Sequence, residues 1–284
     1  MVDRSHLWTA GLVIASMLTL TSMPASPAHA DWTLARTDAP VALVRGTNLS
    51  TARAGDTLRD GDLLETHEGV AHLQGEHGTL VALGPQTRAM LAADTRVALL
   101  HGWLKIAATA CVSQACPAPR VDTERGPVDI GANAAAIIAT RDDAGAIDLF
   151  SETGAQTFAA KPPATIASGR FASIDAHVHL QQSARPSDAF IAAMPVPFRD
   201  ALQPLSPPKP PPGAAPSRAV NYDDIAPWLV STLPERKSFP ARFRSRVADP
   251  AFRRDIDAHL KALPDWRALL YPPARSGVRR ARYP

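Results

Sequence analysis

Between Gly55 and Thr87 the chain alternates short apolar runs with glycine-containing pairs, among them Gly55-Asp56, Gly61-Asp62, Gly69-Val70 and His77-Gly78. Glycine tolerates the positive backbone φ that tight turns need, and alternating apolar residues suit half-buried strands. The pattern predicts strands over residues 41–45, 70–74, 79–83, 88–91, 96–100 and 103–107. It resumes over 120–123, 128–130, 135–140, 147–150 and 156–158. Many short strands separated by turn residues predict a mainly β unit over residues 31–184, built as a sandwich, a barrel or an irregular β-solenoid. Aromatic residues are sparse here, so small aliphatic side chains have to form a thin core.

The period changes after residue 184. Ser187 precedes a short helical segment, which places one helix within residues 185–203 and Ser187 at its N-cap. Residues 204–217 are dense in proline, which holds a chain extended and without internal hydrogen bonds, so this stretch reads as a semi-rigid linker. Beyond it, Phe239, Phe243 and Val247 recur at helical spacing, and Phe252, Ile256, Leu260 and Leu263 follow. Asp249-Pro250 supplies a cap with proline in the first turn. With Trp228 behind Pro227, three short helices are expected over 218–271, followed by a basic tail over 272–284. Such a unit buries little surface alone, so it is expected to dock on the β-unit or on a partner.

The ends set the compartment. Arg4 is followed by an uncharged apolar stretch over residues 7–20, and Ala28-His29-Ala30 places small residues at Ala28 and Ala30. This reads as a signal peptide over 1–30 cleaved after Ala30, the stretch being shorter than the roughly 20 residues that span a bilayer. Cys111 and Cys116 are the two cysteines of the chain. In an oxidising compartment they read as a disulfide across a short loop, stabilising by roughly 2 kcal/mol; a metal site or a redox pair are the rival readings. Charge is uneven: residues 218–284 hold 14 Lys+Arg against 7 Asp+Glu. The basic tail suits peripheral contact with acidic envelope components, or a solvated end. Nucleic acid is not an expected partner of an exported chain.

Candidate chemistry is thin. His177-Val178-His179 lies in a strand-like string, and two histidines on one strand face are what a metal needs for two ligands. The motif resembles the first strand of amidohydrolases, but a (β/α)-barrel of roughly 250 residues does not fit in the remaining chain. Two outward-facing histidines on an ordinary strand are the expectation. His67, His72 and His77 recur every five residues beside Glu65, Glu68 and Glu76, a spacing that scatters side chains over both strand faces. No Gly-x-Ser-x-Gly elbow, phosphate loop or dinucleotide fingerprint occurs. No catalytic residue, metal ligand or cofactor is therefore assigned.

The glycine-punctuated run resembles the FecR domain, a family of periplasmic β-rich modules of Gram-negative bacteria. The resemblance is carried by Gly55-Asp56-x-Leu58, Gly61-Asp62-x-Leu64-x-Thr66, Ala71-x-Leu73 and Gly78-Thr79-Leu80-x-x-Leu83-Gly84-Pro85-x-Thr87. Gly102-Trp103-Leu104, Thr123-x-x-Gly126-Pro127-Val128, the 146–150 segment and Gly154 continue it over about residues 41–160. The chain departs where Gly131-Ala-Asn-Ala-Ala-Ala136 replaces the family's usual Gly-Thr-x-Phe-x-Val, and where a signal peptide stands in place of an anti-sigma segment. The resemblance implies a non-enzymatic, exported binding or scaffold protein of the periplasm, with an envelope protein or glycan as its unidentified partner. The alternative is a component of envelope signal transduction acting through a membrane partner. A metal-dependent hydrolase using His177 and His179 is the most distant reading.

Overall fold

The computed structural model describes residues 32–75, 78–93, 95–109, 118–141, 145–210, 212–213 and 215–272. The signal-peptide residues Ala28 and Ala30, the Cys111–Cys116 pair, His77 and tail residues 273–284 lie outside these.

The Gly-Asp pairs form the same turn twice. Asp56 N–H donates to the Arg53 carbonyl at 3.0 Å, and the Asp56 carboxylate accepts the Arg53 N–H at 2.8 Å. Six residues on, Asp62 N–H meets the Arg59 carbonyl at 3.1 Å, and its carboxylate accepts Arg59 N–H at 2.9 Å. Gly55 and Gly61 sit at φ +92° and +81°, the third-position requirement of a type II turn. The motif thus closes both ends of each turn with one side chain.

Among the described residues the chain makes nineteen strands: β1 (Trp32–Thr37), β2 (Val41–Arg45), β3 (Asn48–Ala52), β4 (Thr57–Leu58), β5 (Leu63–Thr66), β6 (Ala71–Gly75), β7 (Thr79–Leu83), β8 (Arg88–Ala92), β9 (Arg96–His101), β10 (Trp103–Ala108), β11 (Arg120–Thr123), β12 (Gly126–Ile130), β13 (Ala135–Arg141), β14 (Ala146–Thr153), β15 (Gln156–Phe158), β16 (Ala164–Ile166), β17 (Phe171–Ile174), β18 (Leu180–Ser183) and β19 (Arg218–Ala219). They pair into two open sheets. Sheet A runs β18-β17-β14-β13-β10-β7-β6-β1-β4, and sheet B runs β16-β15-β12-β11-β9-β8-β5-β2-β3-β19. Pairing is antiparallel except between β9 and β11, which are separated in sequence by β10 on the other sheet. The protein is mainly β, a sandwich without a closed barrel.

The core between the sheets contains Leu34, Leu43, Leu73, Leu83, Leu99, Leu104, Ile138 and Leu149, with Trp32 and Phe158 as its aromatics. It is the thin aliphatic core that the composition implies. Both outer faces are then covered from the C-terminal side. Helix α1 (Asp188–Ala193) starts at Ser187, whose side chain accepts the Phe190 N–H, and a 3-10 turn (Val196–Arg199) follows. Phe190 and Phe198 from this segment pack on Val70, Ala82, Ile137 and Phe171 of sheet A.

The unit beyond the prolines comprises α2 (Ala226–Val230), α3 (Phe239–Arg242), α4 (Pro250–Ala258) and α5 (Arg267–Leu270), joined by 3-10 turns. The three expected helical segments are present but shorter and more broken: Pro227 and Pro240 fall in the first turns of α2 and α3, and Pro264 opens a further 3-10 turn after α4. Asp249 caps α4 by accepting from Ala251 and Phe252 N–H. Trp228, Phe239, Phe243 and Phe252 share one buried cluster with Val44, Leu63, Met90 and Ala98 of sheet B. Phe239 and Phe243 are fully buried, each contributing about 1.5–3 kcal/mol of hydrophobic stabilisation. The unit docks on the β-sandwich. No helix among the described residues is long and apolar enough to cross a membrane.

The proline-rich segment does not run free between these covers. The Gln74 side chain accepts the Leu205 N–H at 2.7 Å and donates to its carbonyl at 2.8 Å, mimicking a strand pair. A Cβ on Gly55 would lie 2.4 Å from the Pro208 carbonyl oxygen, so the segment passes where only glycine leaves room.

Candidate functional site

The covered faces leave the sheet edges and part of β3 as the exposed β-surface. At one end of the sandwich, β18 ends sheet A and β16 ends sheet B, and Gln182 Nε2 donates to the Thr165 carbonyl at 3.2 Å, bracing one edge against the other. Strand β18 reads Leu-Gln-Gln-Ser, without the charge or proline that commonly blunts an edge. It pairs with β17 from Phe171↔Ser183 to Ile174↔Leu180, and its other side carries no strand among the described residues.

The hairpin before β18 corrects the histidine expectation. Residues 175–179 form a turn, not a continuous strand: Asp175 N–H donates to the His179 carbonyl at 3.1 Å, and Val178 N–H to the Asp175 carbonyl at 3.0 Å. The Asp175 carboxylate also accepts the N–H groups of His177 and His179 at 2.8 and 2.9 Å. Val178 takes φ +64° as a result. The His179 N–H, opposed by desolvation and helped by the His177 N–H, holds the Asp175 carboxyl below its usual range. His179 Nδ1 lies 3.2 Å from Asp175, and the two imidazole rings sit 6.0 Å apart with both residues exposed. Among the described residues no group of three His, Cys, Asp or Glu side chains is arranged to hold a metal ion.

Of the five-residue series, His67 and His72 lie apart, and His77 and Glu76 lie outside the described residues. His72 is half-buried on β6, where burial first and then Arg36 push its pKa down against a smaller pull from Asp38. His67 lies exposed after β5 on the opposite sheet, and Glu65 pairs with Arg88 at 2.8 Å. Nothing draws these side chains toward a common centre.

Sequence reasoning missed the polar seams that fix the covers. Lys105 on β10 is fully buried and donates to Glu152 at 2.8 Å and to the Phe198 and Asp200 carbonyls at 2.9 and 2.8 Å. Arg242 on α3 donates from Nε to the Gly46 carbonyl and from Nη2 to the Val44 carbonyl, both at 3.0 Å, and from Nη1 to Gly61. Burial lowers its pKa, with Asp62 pulling the other way. Arg96 on β9 bridges Asp122 at 2.8 Å and Glu235 of the helical unit at 2.9 Å. Glu235 keeps one carboxylate oxygen buried and unbonded. Burial, aided by Asp122, raises its pKa against the opposing pull of its own backbone N–H and of Arg96.

No family model and no curated protein matches the chain. A 1.65 Å crystal structure of a candidate anti-sigma factor from Parabacteroides distasonis ATCC 8503 aligns with TM-score 0.38 and 12% identity, covering 45% of this chain and 61% of that one. A second such structure from the same strain, at 2.50 Å, aligns with TM-score 0.31 and 10% identity over 53% and 65%. The chain thus spans less than two thirds of either matched chain, and neither score establishes a shared fold.

Proposed function

We propose that the chain is an exported, FecR-like binding protein of the Gram-negative envelope, without enzymatic activity, whose β-sandwich receives a partner at the open edge formed by β18. The observation that carries this reading is the distribution of covers. Both sheet faces carry the chain's own C-terminal segments, while among the described residues the outer side of the uncharged edge strand β18 meets no strand. Strand addition uses such an edge: main-chain hydrogen bonds give affinity and alternate side chains give selectivity. The Gly-Asp and Leu-Gly-Pro motifs that carry the FecR resemblance fall on turns of this sandwich, which supports a structural role for them.

A photo-crosslinking side chain at Gln181, introduced into the protein expressed in a Gram-negative host, tests the reading. A discrete adduct in the envelope fraction, lost when a charged residue replaces Ser183 beside the crosslinker, is expected. Cytoplasmic retention of the protein, or no adduct at Gln181, refutes it. Deletion with transcript profiling separates scaffold from signalling, because a scaffold leaves sigma-dependent transcripts unchanged.

A further inference from the structure

We propose that the cleft over the β2–β3 hairpin binds a sugar bearing a single carboxylate, with Arg53 as the anion anchor. The proposal deepens the binding reading above and rests on it. The cleft encloses about 350 Å³ between β2, β3, the turn at Asp56 and the returning chain at Gly213, Ala215 and Ser217. That volume falls at the lower end of the roughly 300–1,000 Å³ of small-molecule sites.

Arg53 is half-buried, and among the described residues its guanidinium makes one hydrogen bond, from Nη2 to the Gly213 carbonyl at 3.1 Å. Its Nε is buried and bonds to no described residue. A guanidinium presents Nε and one Nη as a parallel pair that matches the two oxygens of a carboxylate. Here one carbonyl oxygen fills half of that pair and the other half stands empty. A carboxylate entering beneath the returning chain takes both positions and displaces the Gly213 carbonyl.

The other charged groups limit the ligand to one negative charge. Arg45 lines the same cleft, but Asp62 already accepts its Nε at 3.0 Å and its Nη2 at 2.6 Å. The Asp56 carboxylate, which holds the Arg53 backbone N–H, also faces the cleft and disfavours a dense polyanion. It remains an acceptor for a ligand hydroxyl. The rest of the lining is neutral and mostly hydrogen-bonding, from Asn48, Ser50, Thr51, Thr57 and Ser217, with Leu43 and Ala215 the apolar side chains. One spare cation amid hydroxyls and an amide fits a polyhydroxylated ring with one acid group, and suits neither an apolar ligand nor a phosphate cluster.

Calorimetric titration of the full mature chain with glucuronate, galacturonate, glucose and an acetylated tetra-aspartate peptide tests this. Glucuronate and galacturonate are expected to bind at least about tenfold more tightly than glucose, a difference of ~1.4 kcal/mol. Arg53→Gln should abolish that preference. Thr51→Val, at an exposed position, should weaken both acidic sugars several-fold with an unchanged melting temperature, which keeps the test decisive if Arg53→Gln folds poorly. No heat with either acidic sugar at millimolar concentration overturns the proposal, as does equal binding of the tetra-aspartate peptide. A Gln181 adduct in the envelope alongside absent sugar binding removes the cleft proposal and leaves the edge reading standing.

Discussion

Lys105 Nζ lies 2.9 Å from the Phe198 carbonyl oxygen, so a lysine in the middle of strand β10 anchors a segment more than ninety residues away in the chain. Its two neighbours, Leu104 and Ile106, point into the sandwich core, and Lys105 points outward into the cover of residues 196–200. Three donors meet three acceptors there, leaving none of the ammonium unused.

Replacing Lys105 with methionine keeps the volume and strands those acceptors. Removing one partner of a buried, hydrogen-bonded charge pair costs about 3–5 kcal/mol, and the partial exposure of Glu152 places this case toward the lower bound. Urea denaturation should show the loss, and trypsin should cleave after Arg199 faster than in the parent.

Gly55 and Gly46 offer a matched pair of alanine substitutions. Both have positive φ, +92° and +58°, but a Cβ on Gly46 meets nothing within 4 Å whereas one on Gly55 strikes Pro208. Gly46→Ala should cost only the backbone term, about 1–2 kcal/mol. Gly55→Ala should cost more, and it should also accelerate hydrogen exchange at the Leu205 amide by lifting the proline segment off Gln74. Equal exchange in the two variants would contradict the close passage of that segment.

Arg242 spans three backbone carbonyls with one planar fork. Lysine cannot reproduce this geometry, so Arg242→Lys should destabilise nearly as much as Arg242→Met. Each buried carbonyl left without a donor costs about 1–3 kcal/mol. A melting-temperature series across the three proteins checks the ordering; recovery of most of the loss by lysine would show that charge alone suffices.

Glu235 makes stability depend on pH with a defined sign. Its folded pKa is raised, chiefly by burial, so the folded state holds this proton more tightly than the unfolded chain. Its contribution to stability is therefore full below the unfolded value of about 4.3 and is lost as pH rises through the elevated folded value. Glu235→Gln mimics the protonated form at every pH. The variant should melt higher than the parent at pH 7.5, and the gap should close as pH falls toward 4.5. A gap that widens on acidification would mean that the Arg96 ion pair dominates burial.

The fold was largely legible because its signals are local. Alternation placed β2 and β6 to β15 to within a few residues, and Ser187 and Asp249 cap helices where their sequence contexts indicate. The 175–179 turn was not legible, since Ile-Asp-Ala-His-Val-His-Leu alternates like a strand and lacks glycine or proline. Asp175 makes that turn with its carboxylate and forces Val178, a β-branched residue, to positive φ, which sequence rules disfavour. The interaction surfaces were less legible still. Gln74 and Leu205, Arg53 and Gly213, and Arg96 and Glu235 each meet across more than a hundred residues, and nothing near any of them in sequence announces its partner.

The pinned proline segment also fixes how hard the sheet B face is to reach. Leu205, Pro208 and Gly213 are held against the sandwich, which leaves only a few residues before β19 joins β3. The helical unit is thus an internal ligand on a very short tether, at an effective concentration in the millimolar range or above. Any outside protein competing for Val44, Leu63 and Met90 faces that concentration first. Among the described residues, the unpaired edge at β18 carries no such internal competitor.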